Sequence, residues 1–138
     1  MSVGRGMTGG LVAAVVSGAP STVHTLLAGG DLTESTRAAG TLIVPDDAPP
    51  PLQLAAGVAT HLALSVGWGG VLGLVLPRRR PVAWGALAGL GIAALDLAGA
   101  GRRFRAVEAL PTAPQVADHL VFGATVGWWL GRAPMPAG

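Results

Sequence analysis

The chain has 138 residues, 51% apolar and only 12% charged, with a mean hydropathy of +0.57. Soluble domains carry about 25% charged residues, and a chain this short cannot hide so much Leu, Val and Ala in one core with so little polar cover, so the composition points to a membrane protein. The nine basic residues are all Arg, exceed the acids by only two and form no stripe interleaved with aromatics, which argues against nucleic acid as a partner; with no Cys, disulfides, thiolate metal sites and Cys nucleophiles are excluded.

A bilayer crossing needs about 20 mostly apolar residues, and four stretches come close. The first, residues 9–29, reads "GGLVAAVVSGAPSTVHTLLAG" and is interrupted by Ser17, Pro20, Ser21, Thr22 and His24. Arg5, "LVAAVV" and Ser17-Gly18-Ala19 have the layout of a secretory signal. Against that, Pro20 would follow the cut and apolar character resumes at Val23, Leu26 and Leu27, so the segment is expected to be retained as a span. Residues 30–52 then form an external loop. Within it, Asp31 and Glu34 have N-cap and N3 spacing, and Leu32, Ala39, Leu42 and Ile43 could share an apolar side that Pro45 ends. This predicts a short interfacial helix, followed by "DDAPPP" as an extended connector.

The second span, 53–76, is "QLAAGVATHLALSVGWGGVLGLVL". His61, Ser65 and Trp68 fall at i, i+4 and i+7, one side of a helix. The "PRRRP" loop, 77–81, is expected to be cytoplasmic by the positive-inside rule. The third span covers 82–100, an external loop 101–114 carries "GRRFR", and the fourth span covers 115–131. With four spans both termini are cytoplasmic. Arg5, Arg78, Arg79, Arg80 and Arg132 then lie inside, against Arg37, Arg102, Arg103 and Arg105 outside. A re-entrant third segment would shift this count to seven against two, but irregular backbone at membrane depth needs protein or water around it. Four spans also gather Trp84, Trp128 and Trp129 near one interface. The first external loop has four acids against Arg37 (−4 + 1 = −3) and the second has three Arg against Glu108 (+3 − 1 = +2), so the two are expected to pair. The fold class is therefore an all-α integral membrane protein: one domain, a four-helix transmembrane bundle with a short interfacial helix, in the plasma (inner) membrane.

Gly69 and Gly73, then Gly85 and Gly89, then Gly123, Gly127 and Gly131 recur at four-residue spacing, which lets helix backbones approach closely in lipid. His24, His61, Asp96, Asp118 and His119 all fall in the outer half of the membrane, within about 12 Å of that surface at 1.5 Å per residue. Such groups need partners. Imidazoles and carboxylates on one level suit a proton relay or a divalent metal, and they equally suit hydrogen bonds that fasten one helix to another. No motif indicates a resident cofactor. There is no Walker loop, dinucleotide fingerprint, Gly-x-Ser-x-Gly or His-Glu-x-x-His, so the chain is not read as an enzyme.

"APPPLQL", "HLALSVGWGGVLG", "WGALAGLGIAALDL" and "LPTAPQVADHLVFGATVGWWL", in that order from Pro49 to Leu130, resemble the YagU-like small bacterial inner-membrane proteins. In that family a Pro-Pro lead-in opens a span with His and Ser facing inward, and the last span opens with an acidic residue beside His. His61, Ser65, Asp118, His119 and Gly123 match; Asp96 stands near where the family tends to carry His. The resemblance implies a multi-span integral protein. The expected partners are the lipid bilayer and either another membrane protein or a second copy. The expected role is a structural or accessory subunit, with proton, ion or metal handling as the alternative.

Overall fold

The computed structural model describes residues 2–132, and these are helical without strands. The first apolar stretch is two helices, α1 (Val3–Val16) and α2 (Ala19–Ala28), set apart at Ser17-Gly18. Pro20 is the cause: it lacks an N–H and its ring crowds the carbonyl four residues back. α1 starts six residues before the expected Gly9, with Ser2 as its N-cap. α2 ends at Gly29, whose φ of 68° is the left-handed conformation that terminates helices most cheaply at glycine.

α3 (Glu34–Gly40) is shorter than its apolar pattern predicts and stops well before Pro45. Its N-cap is Thr33, not Asp31. Asp31 instead accepts the Thr33 N–H and hydroxyl, each at 2.8 Å, and pairs with Arg37 at 2.7 Å. α3 runs antiparallel to α4 (Pro50–Val75): Gly40 packs on the Gln53 backbone and Thr36 on Gly57. α5 (Pro81–Ala93) follows a loop that turns through Arg80 at φ 53°. It continues as a π-helical turn, Ala94–Ala100, and a 3-10 turn, Gly101–Arg103. The third segment is thus one continuous helical rod rather than a re-entrant hairpin. The single-turn α6 (Arg105–Glu108) leads to α7 (Thr112–Gly131).

Three rods are long and apolar enough to cross a membrane: Val3–Ala28, Pro50–Val75 and Pro81–Arg103. α7 is not among them, because Gln115, Asp118 and His119 dilute its first half. It is also the most enclosed helix, touching α1, α2, α4 and α5.

Two glycine seams hold the long helices. In the first, α1 lies on α4: a methyl added to Gly6 would sit 2.7 Å from Gly73 Cα, and one on Gly69 would sit 2.8 Å from Gly10 Cα. In the second, α5 lies on α7: a methyl on Gly123 would sit 2.8 Å from the Gly85 carbonyl carbon, and one on Gly89 would meet the His119 backbone. Gly127 packs on the Pro81 backbone and Gly131 on its ring. These contacts are backbone against backbone, the arrangement that stabilises helix pairs by dispersion when lipid removes any hydrophobic drive. Leu72 of α4 with Leu76 just after it, Ile92 of α5, and Phe122, Val126 and Leu130 of α7 fill the space between the two pairs. Large apolar residues outside the seams are exposed, among them Leu11, Val15, Leu27, Leu62, Leu74, Leu87 and Leu95.

The chain alternates in direction, so one end gathers Arg5, Arg78–Arg80 and Arg132 with Trp84, Trp128 and Trp129. There Arg132 lies over the Trp128 ring at 4.0 Å and Arg5 donates to the Trp129 carbonyl at 3.5 Å. The opposite end carries α2, α3, the π turn and the start of α7.

Candidate functional site: polar fasteners at one end of the bundle

Breaking the first helix frees backbone groups. The α1 ladder closes with the Ser17 N–H on the Ala13 carbonyl at 2.8 Å. The next carbonyl, Ala14, accepts from His61 Nε2 of α4 at 2.9 Å. On the far side of the break, Ser21 lies in the first turn of α2, where N–H groups have no partner within the helix. Its N–H donates to Asp118 Oδ1 of α7 at 2.9 Å, and its hydroxyl donates to Oδ2 of the same carboxylate. Asp118 therefore caps α2 from another helix, with negative charge at the positive end of its dipole.

The third link joins α7 to the π turn. His119 Nδ1 lies 2.8 Å from the Gln115 carbonyl and Nε2 lies 3.2 Å from Asp96 Oδ2. A carbonyl only accepts, so Nδ1 carries a hydrogen. One proton then lies between Nε2 and the Asp96 carboxyl: imidazolium with carboxylate, or imidazole with carboxylic acid. Both forms are neutral overall, which lowers the cost of holding the pair away from water. The π turn serves this contact, since a local widening of the helix re-aims the side chains on it.

The five ionisable residues singled out from the sequence thus share one end of the bundle but do not converge on a point. Asp96 and His119 meet; Asp118 turns to Ser21; His61 turns to Ala14. His24 is exposed on the wall of a cavity of about 140 Å³ between α2, the start of α3 and the start of α7, which Glu34, Ser35 and Gln115 also line. Among the described residues no three His, Asp or Glu side chains come together in a way that would hold a metal ion. The loops 30–52 and 101–114 do meet, α3 against α6 and Leu42 and Ile43 beside Phe104, but without the expected charge pairing among the described residues. The ion pairs among the described residues are Arg37–Asp31 and His119–Asp96, and neither joins those loops.

The His61, Ser65 and Trp68 face of α4 is the face turned to α1 and the core. Ser65 is buried with its carbonyl against Gly10, and Trp68 packs on the central apolar cluster. Sequence reasoning missed Ser21 as a partner and missed the Ala14 carbonyl, which has no signature in residue type. It also missed Gly6 and Gly10, although their four-residue spacing was there to be read.

Comparison with known protein families, curated proteins and solved structures finds nothing that matches this chain.

Proposed function

We propose that the chain is a four-span protein of the plasma membrane, of YagU-like type, whose role is structural or interactive: an accessory subunit and not an enzyme. One observation carries this reading. His61, Asp96, Asp118 and His119 are each committed to a helix-to-helix link, with His61 and Asp118 serving backbone groups at the Pro20 break. Groups committed to such links are poor candidates for binding or turning over a ligand.

Four crossings are supported by the central position of α7. A helix wrapped by α1, α2, α4 and α5 does not need an apolar surface all round, and its polar groups meet protein rather than lipid. Arg5, Arg78–Arg80 and Arg132 at one end, with three Trp, support placing that end and both termini in the cytoplasm. With α3 packed along the first turns of α4, exposed Leu32 and Ile43 fit the headgroup level at the other end.

A second reading, proton, ion or metal handling, draws on the contact between Asp96 and His119, with Asp118 beside it in the chain. The deciding experiment is purification in mild detergent with metal analysis and identification of bound proteins. A constant protein partner or self-association without stoichiometric metal is expected; stoichiometric metal, or proton flux in vesicles lost on His119→Gln, would favour the second reading.

A further inference from the structure

"GRRFR" takes no part in the links above. Arg102, Arg103 and Arg105 are exposed and none makes an ion pair among the described residues. Phe104, between them, closes one side of an apolar groove of about 470 Å³, a size within the roughly 300–1,000 Å³ of small-molecule sites. Its other walls are Leu42 and Ile43 after α3, and Ala59, Ala63 and Leu64 of α4. The groove holds one polar group, Thr60. Thr60 is only 8% exposed, yet its hydroxyl has no hydrogen-bond partner. A buried hydroxyl left unpaired is costly, and this one is closed off from the groove, whose surface is left apolar.

We infer that this groove binds an anionic phospholipid, with an acyl chain along Phe104, Ile43, Ala63 and Leu64, and its phosphate facing Arg102 and Arg103. The chemistry fits part by part. The walls are apolar and continuous with the exposed face of α4 at Leu62 and Leu64, so a lipid tail enters from the side. Arg102, Arg103 and Arg105 flank Phe104 in the chain and are exposed, and Arg recognises phosphate through paired N–H donors. An uncharged apolar partner would leave the Arg cluster unexplained; a soluble anion would leave the groove empty. The same site gives a reason for Arg on the side of the membrane that the positive-inside rule disfavours. The inference rests on the outer loop lying at the bilayer surface. It is tested in detergent, where orientation plays no part, so its failure leaves the span count to be judged by labelling.

The test titrates the purified full chain in mild detergent with dioleoyl phosphatidylglycerol or dioleoyl phosphatidylcholine, reading bound lipid by native mass spectrometry and the unfolding temperature in parallel. The tails are identical, so any preference reports the headgroup. Phosphatidylglycerol is expected to bind at one per chain and raise the unfolding temperature, and phosphatidylcholine to do neither at the same concentration. Inorganic phosphate alone should give no shift. Arg102→Gln with Arg103→Gln should weaken phosphatidylglycerol on the order of tenfold or more, while Arg78→Gln with Arg79→Gln at the other end leaves it unchanged. Thr60→Val should be at least as stable as the parent without lipid, since it removes an unpaired hydroxyl, and should keep the lipid-induced shift, since that hydroxyl is closed off from the groove. Equal binding of the two lipids, a full response to phosphate alone, or phosphatidylglycerol binding untouched by the Arg102/Arg103 change would overturn the inference.

Discussion

The His61 imidazole of α4 donates to the Ala14 carbonyl of α1 at 2.9 Å, one turn before the first rod breaks. In water that carbonyl would find a solvent donor. Within a bilayer it cannot, and an orphaned backbone group there costs several kcal/mol. The imidazole therefore belongs to the same feature as Pro20: the break creates the need and α4 supplies the donor.

His61→Leu keeps bulk and removes the donor. It is expected to lower stability in detergent by about 0.6 kcal/mol if the bond has the value average for such pairs in membranes, and by about 1–3 kcal/mol if the carbonyl is left unsatisfied. Metal content should be unchanged from the parent. A drop in metal stoichiometry with no loss of stability would reverse this assignment.

Asp118 and Ser21 make the second fastener. Asp118→Ala removes the acceptor for both the Ser21 N–H and its hydroxyl, and should cost about 1–3 kcal/mol. Ser21→Ala keeps the N–H bond at 2.9 Å and should cost less. The two changes should not add, because they share one contact. Additive unfolding shifts in the double variant would mean that α2 is held to α7 in some other way.

The glycine seams make contrasting predictions for one chemical change. Gly123→Ala forces a methyl to 2.9 Å from the Gly89 nitrogen and should destabilise by about 1–3 kcal/mol. Gly67, on the same kind of helix, has nothing within 4 Å of an added methyl. Gly67→Ala should therefore stabilise by roughly 0.5–1 kcal/mol through backbone entropy. Thermal melts of the two variants in one detergent would read the difference, and shifts of the same sign would argue against close backbone packing.

Asp31 gives a pH dependence outside the spans. The Thr33 N–H and hydroxyl, with Arg37, hold its carboxyl below the ordinary value of 3.8. A carboxylate depressed in the folded state contributes stability above its unfolded pKa, and that contribution is lost as pH falls through the folded value. The start of α3 should therefore remain ordered at pH 4 and loosen only below it. An NMR titration of Asp31 with a midpoint at or above 3.8 would contradict the Thr33 contacts; Asp31→Asn should abolish the transition.

The apolar rods and the alternating direction of the chain were legible from residue pattern, since stretches such as "LALSVGWGGVLGLVL" leave little choice in lipid. So was the gathering of ionisable residues at one level, which follows from helix rise. What each one touches was not. His61 and Asp118 were grouped as metal ligands because residue type shows donors and acceptors but not backbone groups freed by a break. The π turn around Asp96 was hidden for a related reason: "AALDLAGA" has ordinary helical composition, and the contact of Asp96 with His119 is not visible in it. α7 falls short of a span by hydropathy because Asp118 and His119 count against it, although both are partly buried against neighbouring helices.

The parent chain has no Cys, so single cysteines report location without background. Asp46→Cys, Arg79→Cys, Arg103→Cys and Arg132→Cys, treated in intact cells with a thiol reagent that does not cross membranes, test the four crossings most directly. Labelling at 46 and 103, with 79 and 132 protected until the cells are opened, is the predicted result. Labelling at 132 together with 103 would leave α7 on one side of the membrane and contradict the four-span bundle.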